Sequence, residues 1–321
     1  MQADIYYISR DSERYPQRFR KLPQMPEGIY VKGTLPDEKM PTAAIVGARM
    51  CSRYGRVTSF DFGKKLAENG VQVISGMALG IDGAAQEGAL AGGGRTFAIL
   101  GCGADICYPR SNYRLYDQIP DHGGIISEFE PGTKPLPYNF PIRNRLISAL
   151  ADVVIVVEAR KKSGSLITVD YALEQGKSVY AVPGRVGDVL SDGCNNLIAQ
   201  GAGIAWSVEA ILEELRMQKS LTDAARASRA AAADEMRRTR SEADRGDPSK
   251  NPREKNILPE GMDPQSVKGK ILLCLENDWR TPEEISGELK MTVQELNAAL
   301  GELMLLGLIE EVGRNRYVRI H

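Results

Sequence analysis

Residues 139–184 read NFPIRNRLISALADVVIVVEARKKSGSLITVDYALEQGKSVYAVPG. Two short β-branched runs, 153–157 and 179–182, have the unbroken apolar character of strands that a parallel sheet buries on both faces, and a helix-like segment at 165–175 separates them. Strand, helix, strand is a right-handed crossover unit. In such sheets ligands gather outside the carboxyl ends of the strands. Those ends carry Arg160, Lys161, Lys162, Ser163, Gly164 and Ser165 after the first run, and Gly184 and Arg185 after the second. Backbone amides at a helix start beside Lys and Arg form an anion site. With no obvious catalytic group nearby, the stretch reads as a phosphate-backbone surface rather than a reaction centre.

The same alternation extends outward over about residues 42–215, through AAIVG, VQVISG, TFAILG, GGIISEF, VVIVVEA, SVYAVPG and a weaker GIAW. This is a doubly wound α/β pattern, which sets the main domain at 42–216. Residues 1–41 hold Pro16, Pro23, Pro26, Pro36 and Pro41 and one short strand candidate, YVKG, and read as an arm packed on that domain. Residues 217–262 carry ten basic and eight acidic residues, with almost no large apolar side chain after Leu221. That composition makes a charged linker.

From residue 263 the pattern turns helical. A first helix is expected at 265–275, and TPEE (281–284) and TVQE (292–295) are capping boxes that open two more. LIEEV-GRN-RYVRI then reads as a hairpin, completing a small C-terminal winged helix at 263–321. Its ten carboxylates against seven Lys or Arg, with Glu295 and Glu302 on the third helix, favour a protein-contact or regulatory role over duplex reading. Arg314 and Arg316 in the wing are the exception.

The 321 residues, 42% hydrophobic, allow a large core, and a net charge of -1 hides local asymmetry that only position can resolve. Five cysteines without a CxxC pair suit reduced thiols. The only histidines are His122 and His321, which argues against histidine triads and metal sites. The N-terminus lacks the apolar run of a signal peptide, and the most apolar stretch is interrupted by Asp152 and too short to span a bilayer. A cytoplasmic protein with no metal, cofactor or membrane segment is expected.

Three further strand-end elements are site candidates. Gly47 and Arg49 close the first strand, where glycine admits a phosphate and arginine supplies a fork of donors. Ser75, Gly76 and Gly80 lie in SGMALGIDG, a Gly loop without GxGxxG spacing or a Walker lysine, so a phosphate cradle and simple tight packing both remain open. Arg143 and Arg145 stand near a helix start, where two cations need an anionic partner: Glu128, Glu158 or phosphate. Phe140 beside them is a core plug or a base-stacking platform. Asp82, Glu128 and Glu158 fall near strand ends, and such carboxylates more often orient arginines than perform acid–base chemistry.

Taken together, IVGAR, SGMALGIDGAAQEGAL, AILGCGADICYPRSNYRLY, GGIISEFEPGTKPLPYNFPIRNRLISAL, VVIVVEARKKSGSLITVDYALEQGKSVYAVPG and DGCNNLIAQGA resemble the DNA-processing protein A (DprA/Smf) family over about residues 15–205. The resemblance implies a Rossmann-like, non-enzymatic protein that binds single-stranded DNA, dimerises and loads the RecA recombinase during natural transformation. Carried onto this chain, it implies Arg49 at the strand end, Ser75 to Gly80 as the phosphate-facing loop, and a basic pocket of Arg143, Arg145 and Lys161 to Ser163. Ala48 replaces the family's usual Ser, and Gln86 its usual His. The helix after the last strand offers Ile211, Leu212 and Leu215 as core or as half of a dimer contact.

Two other function classes compete. A nucleotide phosphoribohydrolase would need a PGGxGTxxE block, and the corresponding region here, SGSLITVDYALE, lacks the double glycine and the glutamate at that spacing. A ligand-sensing winged-helix regulator would need a third helix able to read duplex DNA, against which Glu295 and Glu302 argue.

Overall fold

The computed structural model describes residues 4–220, 262–275, 280–311 and 316–319. The chain divides into two compact units, Met1–Asp234 and Glu235–His321.

The first unit is built on a nine-stranded sheet in the order β1-β2-β6-β5-β4-β3-β7-β8-β9. Its centre is parallel: β3 (Thr42–Val46), β4 (Gln72–Ser75), β5 (Thr96–Leu100) and β6 (Gly123–Ser127) run outward on one side. The chain then returns across β3 to lay down β7 (Val153–Val156), β8 (Ser178–Ala181) and the short β9 (Gly203–Ile204) on the other. Every residue of β3, β5 and β7 is buried, as strands covered on both faces require. Ala44, Val46, Val154 and Val156 join one apolar cluster, while Ala43, Ile45, Val153 and Ile155 join another on the opposite face. The second layer is closed by α2 (Arg53–Glu68), α3 (Ile81–Ala91) and α8 (residues 208–220). The first is closed by α5 (Asn139–Leu150), α6 (Leu166–Glu174) and α7 (Asp192–Ala199). Helix α4 (Tyr113–His122) packs a third cluster against β5 and β6.

Two expectations change here. Residues 1–41 are more than an arm, because β1 (Ile5–Ser9) and β2 (Gly28–Gly33), joined through the short α1 (Gln17–Arg20), extend the sheet by antiparallel pairing with β6. Ile8, Tyr15, Phe19, Ile29 and Val31 are buried in its core. Ile211, Leu212 and Leu215 are likewise core residues, packed with Phe62, Leu66 and Ile81. They are therefore not available as a dimer contact.

In the second unit, α9 (Val267–Cys274), α10 (Pro282–Leu289) and α11 (Val293–Leu305) precede an antiparallel hairpin of β10 (Ile309–Glu311) and β11 (Tyr317–Arg319). Three helices followed by a hairpin is the element order expected of a winged helix. Both capping boxes form, at Thr281 with Glu284 and at Thr292 with Glu295. Glu295 is thus occupied in starting its own helix, and Glu302 pairs with Lys268. Of the charged linker expected at 217–262, residues 217–220 instead belong to α8 and residues 221–261 lie outside the described residues, as does wing residue Arg314.

Candidate functional site

The direction of winding reverses between β3 and β7, and a crevice at the carboxyl ends of strands that diverge in this way is where such sheets hold ligands. Here it is a cleft of about 540 Å³, lined among others by Gly47, Arg49, Phe140, Arg160, Ser163 and Gly164. Three loops meet at its floor. The Ala48 amide donates to the Glu158 carbonyl at 2.7 Å, joining the β3 and β7 loops. Ile81 donates to the Ala48 carbonyl at 3.3 Å, joining the loop that opens α3. Ser52 caps α2 by accepting from Gly55 at 3.0 Å. The Ser52 amide and hydroxyl in turn donate to the Glu158 carboxylate at 2.8 and 2.5 Å.

Arg143 rises from α5 beneath the cleft and is buried. Its Nη1 donates to the Gly76 carbonyl at 3.0 Å and to the Ile99 carbonyl, tying together the ends of β4 and β5. The Gly76 amide donates to Asp82 Oδ2 at 3.1 Å. Burial pushes the Asp82 carboxyl above the usual carboxylate range against the pull of Arg143, and pushes Arg143 down to about 10 against the pull of Asp82. Arg143 is therefore a clamp within the fold, and the expectation that it meets phosphate is corrected. Arg145 is corrected for a different reason: it forms a two-pronged ion pair with Glu128 at 2.6 and 2.8 Å and also donates to the Gln24 carbonyl. Of the partners open to it, the carboxylate is the one it takes. Ser75 is buried too, its hydroxyl donating to the Ile45 carbonyl at 2.6 Å.

What remains exposed is positive. Among the described residues Arg49, Arg160, Lys161 and Lys162 are solvent-facing and none has a carboxylate partner. Asp82, Glu128 and Glu158, the carboxylates considered for acid–base work, are each bound inside the fold. Phe140 is half-buried and stacks on Tyr108 with centroids 5.4 Å apart, while the Arg49 guanidinium lies 5.1 Å from its centroid. It is a platform that holds a cation as well as a ring, an attraction worth about 0.5–2 kcal/mol. The structure thus brings Gly47, Arg49, Phe140, Ser163 and Gly164 together around the cleft, with Lys161 and Lys162 between two of its lining residues. Gly76 and Gly80 support its floor. Gln86 is remote in role, buried with its amide donating to the Phe97 carbonyl.

The model of the family described as DNA recombination-mediator protein A matches residues 6–216, more than half of the chain. The chain belongs to this family. Its curated relatives include DNA processing protein DprA of Streptococcus pneumoniae, 43% identical over 62% of this chain and 71% of the relative. Protein Smf of Synechocystis is 31% identical over 99% of this chain and 81% of the relative, so that similarity runs through the second unit as well. Among solved structures, DNA processing protein A of Helicobacter pylori, described for its single-stranded DNA binding mode, superposes with a TM-score of 0.59 at 33% identity. It covers 68% of this chain and 99% of its own. Fold and family are thereby shown: a recombination-mediator protein on a Rossmann-like sheet. Among the described residues no helix is long and apolar enough to cross a membrane.

Sequence reasoning missed Tyr108. It stands in the loop after β5, where the only signal was the YP dipeptide, and its stacking on Phe140 depends on α5 folding back over that loop.

Proposed function

We propose that this protein binds single-stranded DNA across the switch-point cleft and acts on it as a non-enzymatic recombination mediator. The observation that carries the reading is the group of exposed cations, Arg49, Arg160, Lys161 and Lys162, without a carboxylate partner among the described residues, around a cleft whose lining carboxylate, Asp82, is bound within the fold. Exposed cations at this density draw a phosphate backbone, and the aromatic pair Tyr108 and Phe140 gives bases a face to meet. The Helicobacter pylori relative's single-stranded DNA binding supports the same ligand here. Membership of a mediator family supports a recombinase partner, RecA, and a role in DNA uptake and recombination. Self-association into a dimer belongs to the same proposal, through a surface other than Ile211, Leu212 and Leu215. The winged helix is assigned to protein contact.

Fluorescence anisotropy of labelled oligo-dT and matched duplex, across a salt series, tests the reading. The wild type is expected to prefer the single strand and to weaken steeply with salt. Arg49→Glu and the pair Lys161→Glu with Lys162→Glu are each expected to cost roughly tenfold or more in affinity. Each phosphate that is no longer neutralised also flattens the salt slope by about 0.7. These side chains are exposed, so the fold stays intact; unchanged affinity in the triple reversal would refute the assignment. Acceleration of RecA assembly on the bound strand then tests the mediator step, and sedimentation tests the dimer.

A further inference from the structure

A second cleft, of about 600 Å³, lies at the opposite end of the same strands. Its walls come from residues just before β3, β7 and β8, which are Met40, Pro41, Asp152 and Lys177, and from α1, Lys21 and residues 215–219. It shares no lining residue with the switch-point cleft. Two carboxylates face it, and both are already satisfied. Asp152 accepts from Arg18, from the Thr42 amide at 2.8 Å and from the Thr42 hydroxyl at 2.9 Å. Glu38 pairs with Arg18 at 3.6 Å and accepts from the Gln17 amide at 2.9 Å.

With those acids and Arg18 engaged in one network, Lys21, Lys39, Lys177 and Lys219 are left without an ion-pair partner among the described residues. Lys177 is the telling member. It is only partly exposed, and burial, reinforced by the nearby charge of Arg18, pushes its ammonium below the usual lysine range despite Asp152 and Glu38. Beside it, Gln175 is held in the wall by its amide, which donates to the Arg145 carbonyl at 3.1 Å. A cavity that leaves a half-buried cation without an ion-pair partner among the described residues is unfinished.

We propose that this amino-terminal cleft is a second binding site, and that it takes a phosphorylated molecule carrying a ring or chain. Arg18 and four lysines against Glu38 and Asp152 leave an excess of three positive charges, which calls for more than one negative charge, and a phosphate monoester brings about 1.5 to 2. Leu22, Pro41 and Leu215 give an apolar wall for that ring or chain. The volume falls in the range of small-molecule clefts, roughly 300–1,000 Å³. This site stands independently of the strand-binding reading.

Titration calorimetry on the full chain at low salt, with ADP and inorganic pyrophosphate as probes, tests it. ADP is expected to bind at one site per chain and more tightly than pyrophosphate, equally in wild type and in Arg49→Glu. Lys177→Met is expected to weaken it roughly tenfold or more. Lys39→Glu, on an exposed side chain that leaves the fold alone, is expected to weaken it as well. No saturable binding to the wild type overturns the proposal, as does binding abolished in Arg49→Glu but kept in Lys177→Met and Lys39→Glu. Oligo-dT added to the Arg49→Glu protein identifies the source of the phosphate: displacement of ADP assigns the site to a nucleic-acid strand, and none assigns it to a free phosphorylated molecule.

Discussion

Arg143→Met is expected to destabilise the fold strongly, whatever it does to DNA binding. The guanidinium sits 3% exposed and supplies donors to carbonyls at the ends of two neighbouring strands, Gly76 after β4 and Ile99 in β5. Methionine fills similar volume but donates nothing. Two buried carbonyls then lose a donor, and Asp82, also buried, loses the positive charge that opposes its desolvation. Removing one partner from a buried charged arrangement costs about 3–5 kcal/mol, which is a large share of the roughly 5–15 kcal/mol that holds a domain together. Urea denaturation should show the midpoint falling with little change in slope. Arg143→Lys should fall between wild type and Arg143→Met, since it keeps the charge but cannot fork to both carbonyls. A wild-type midpoint in Arg143→Met would show that the clamp carries no stability and would reopen Arg143 as a ligand contact. Charge reversal at Arg143 is consequently no test of strand binding, and that test belongs to Arg49, Lys161 and Lys162.

The two arginines of residues 139–145 show where sequence stops being legible. A helix start bearing Arg143 and Arg145 needs negative partners, and that much follows from local electrostatics. Which partners they find is decided 17 residues away for Glu128, 44 away for the Ile99 carbonyl and 67 away for the Gly76 carbonyl. No local pattern encodes those meetings. The stripe of Ile211, Leu212 and Leu215 fails for a related reason, because a helix that faces a core and one that faces a second subunit carry the same spacing. By contrast the central strands were readable, since runs such as VVIV and TFAIL, buried on both faces, have few other uses. Strand ends were readable with them, so Gly47, Arg49, Ser163 and Gly164 fall around one cleft as the carboxyl-end rule requires. Strand β2 was legible in its YVKG segment, whereas β1 was obscured by the prolines that follow it and by its edge position, which sets Tyr6 and Tyr7 beside the buried Ile8.

Gly80→Ala is expected to reproduce much of the binding defect of Arg49→Glu without touching a charge. Gly80 precedes α3 with φ of 77° and ψ of -121°, a conformation that a side chain resists at a cost on the order of 1–3 kcal/mol. Space compounds the problem. A Cβ there would lie 2.3 Å from the Ala48 carbonyl oxygen and 2.5 Å from that of Arg49, both backbone atoms with no rotamer to escape into. Relief must come from moving residues 48–49 away from α3, which breaks the Ile81 to Ala48 hydrogen bond and lifts the Arg49 guanidinium from the Phe140 ring. Helix α3 itself is poorly placed to yield, because it packs so closely on α2 that a Cβ at Gly63 would lie 2.0 Å from the Ala85 carbonyl oxygen. Affinity for oligo-dT should therefore drop by about tenfold, the worth of a charge-assisted contact, in protein that still unfolds cooperatively. The decisive measurement is a double-mutant cycle with Arg49→Ala. If Gly80 acts by positioning Arg49, the glycine substitution costs little further affinity once the arginine is gone, and the two effects fall well short of adding. Full additivity would mean that Gly80 meets the strand directly, as an open phosphate cradle rather than as the hinge that sets the arginine.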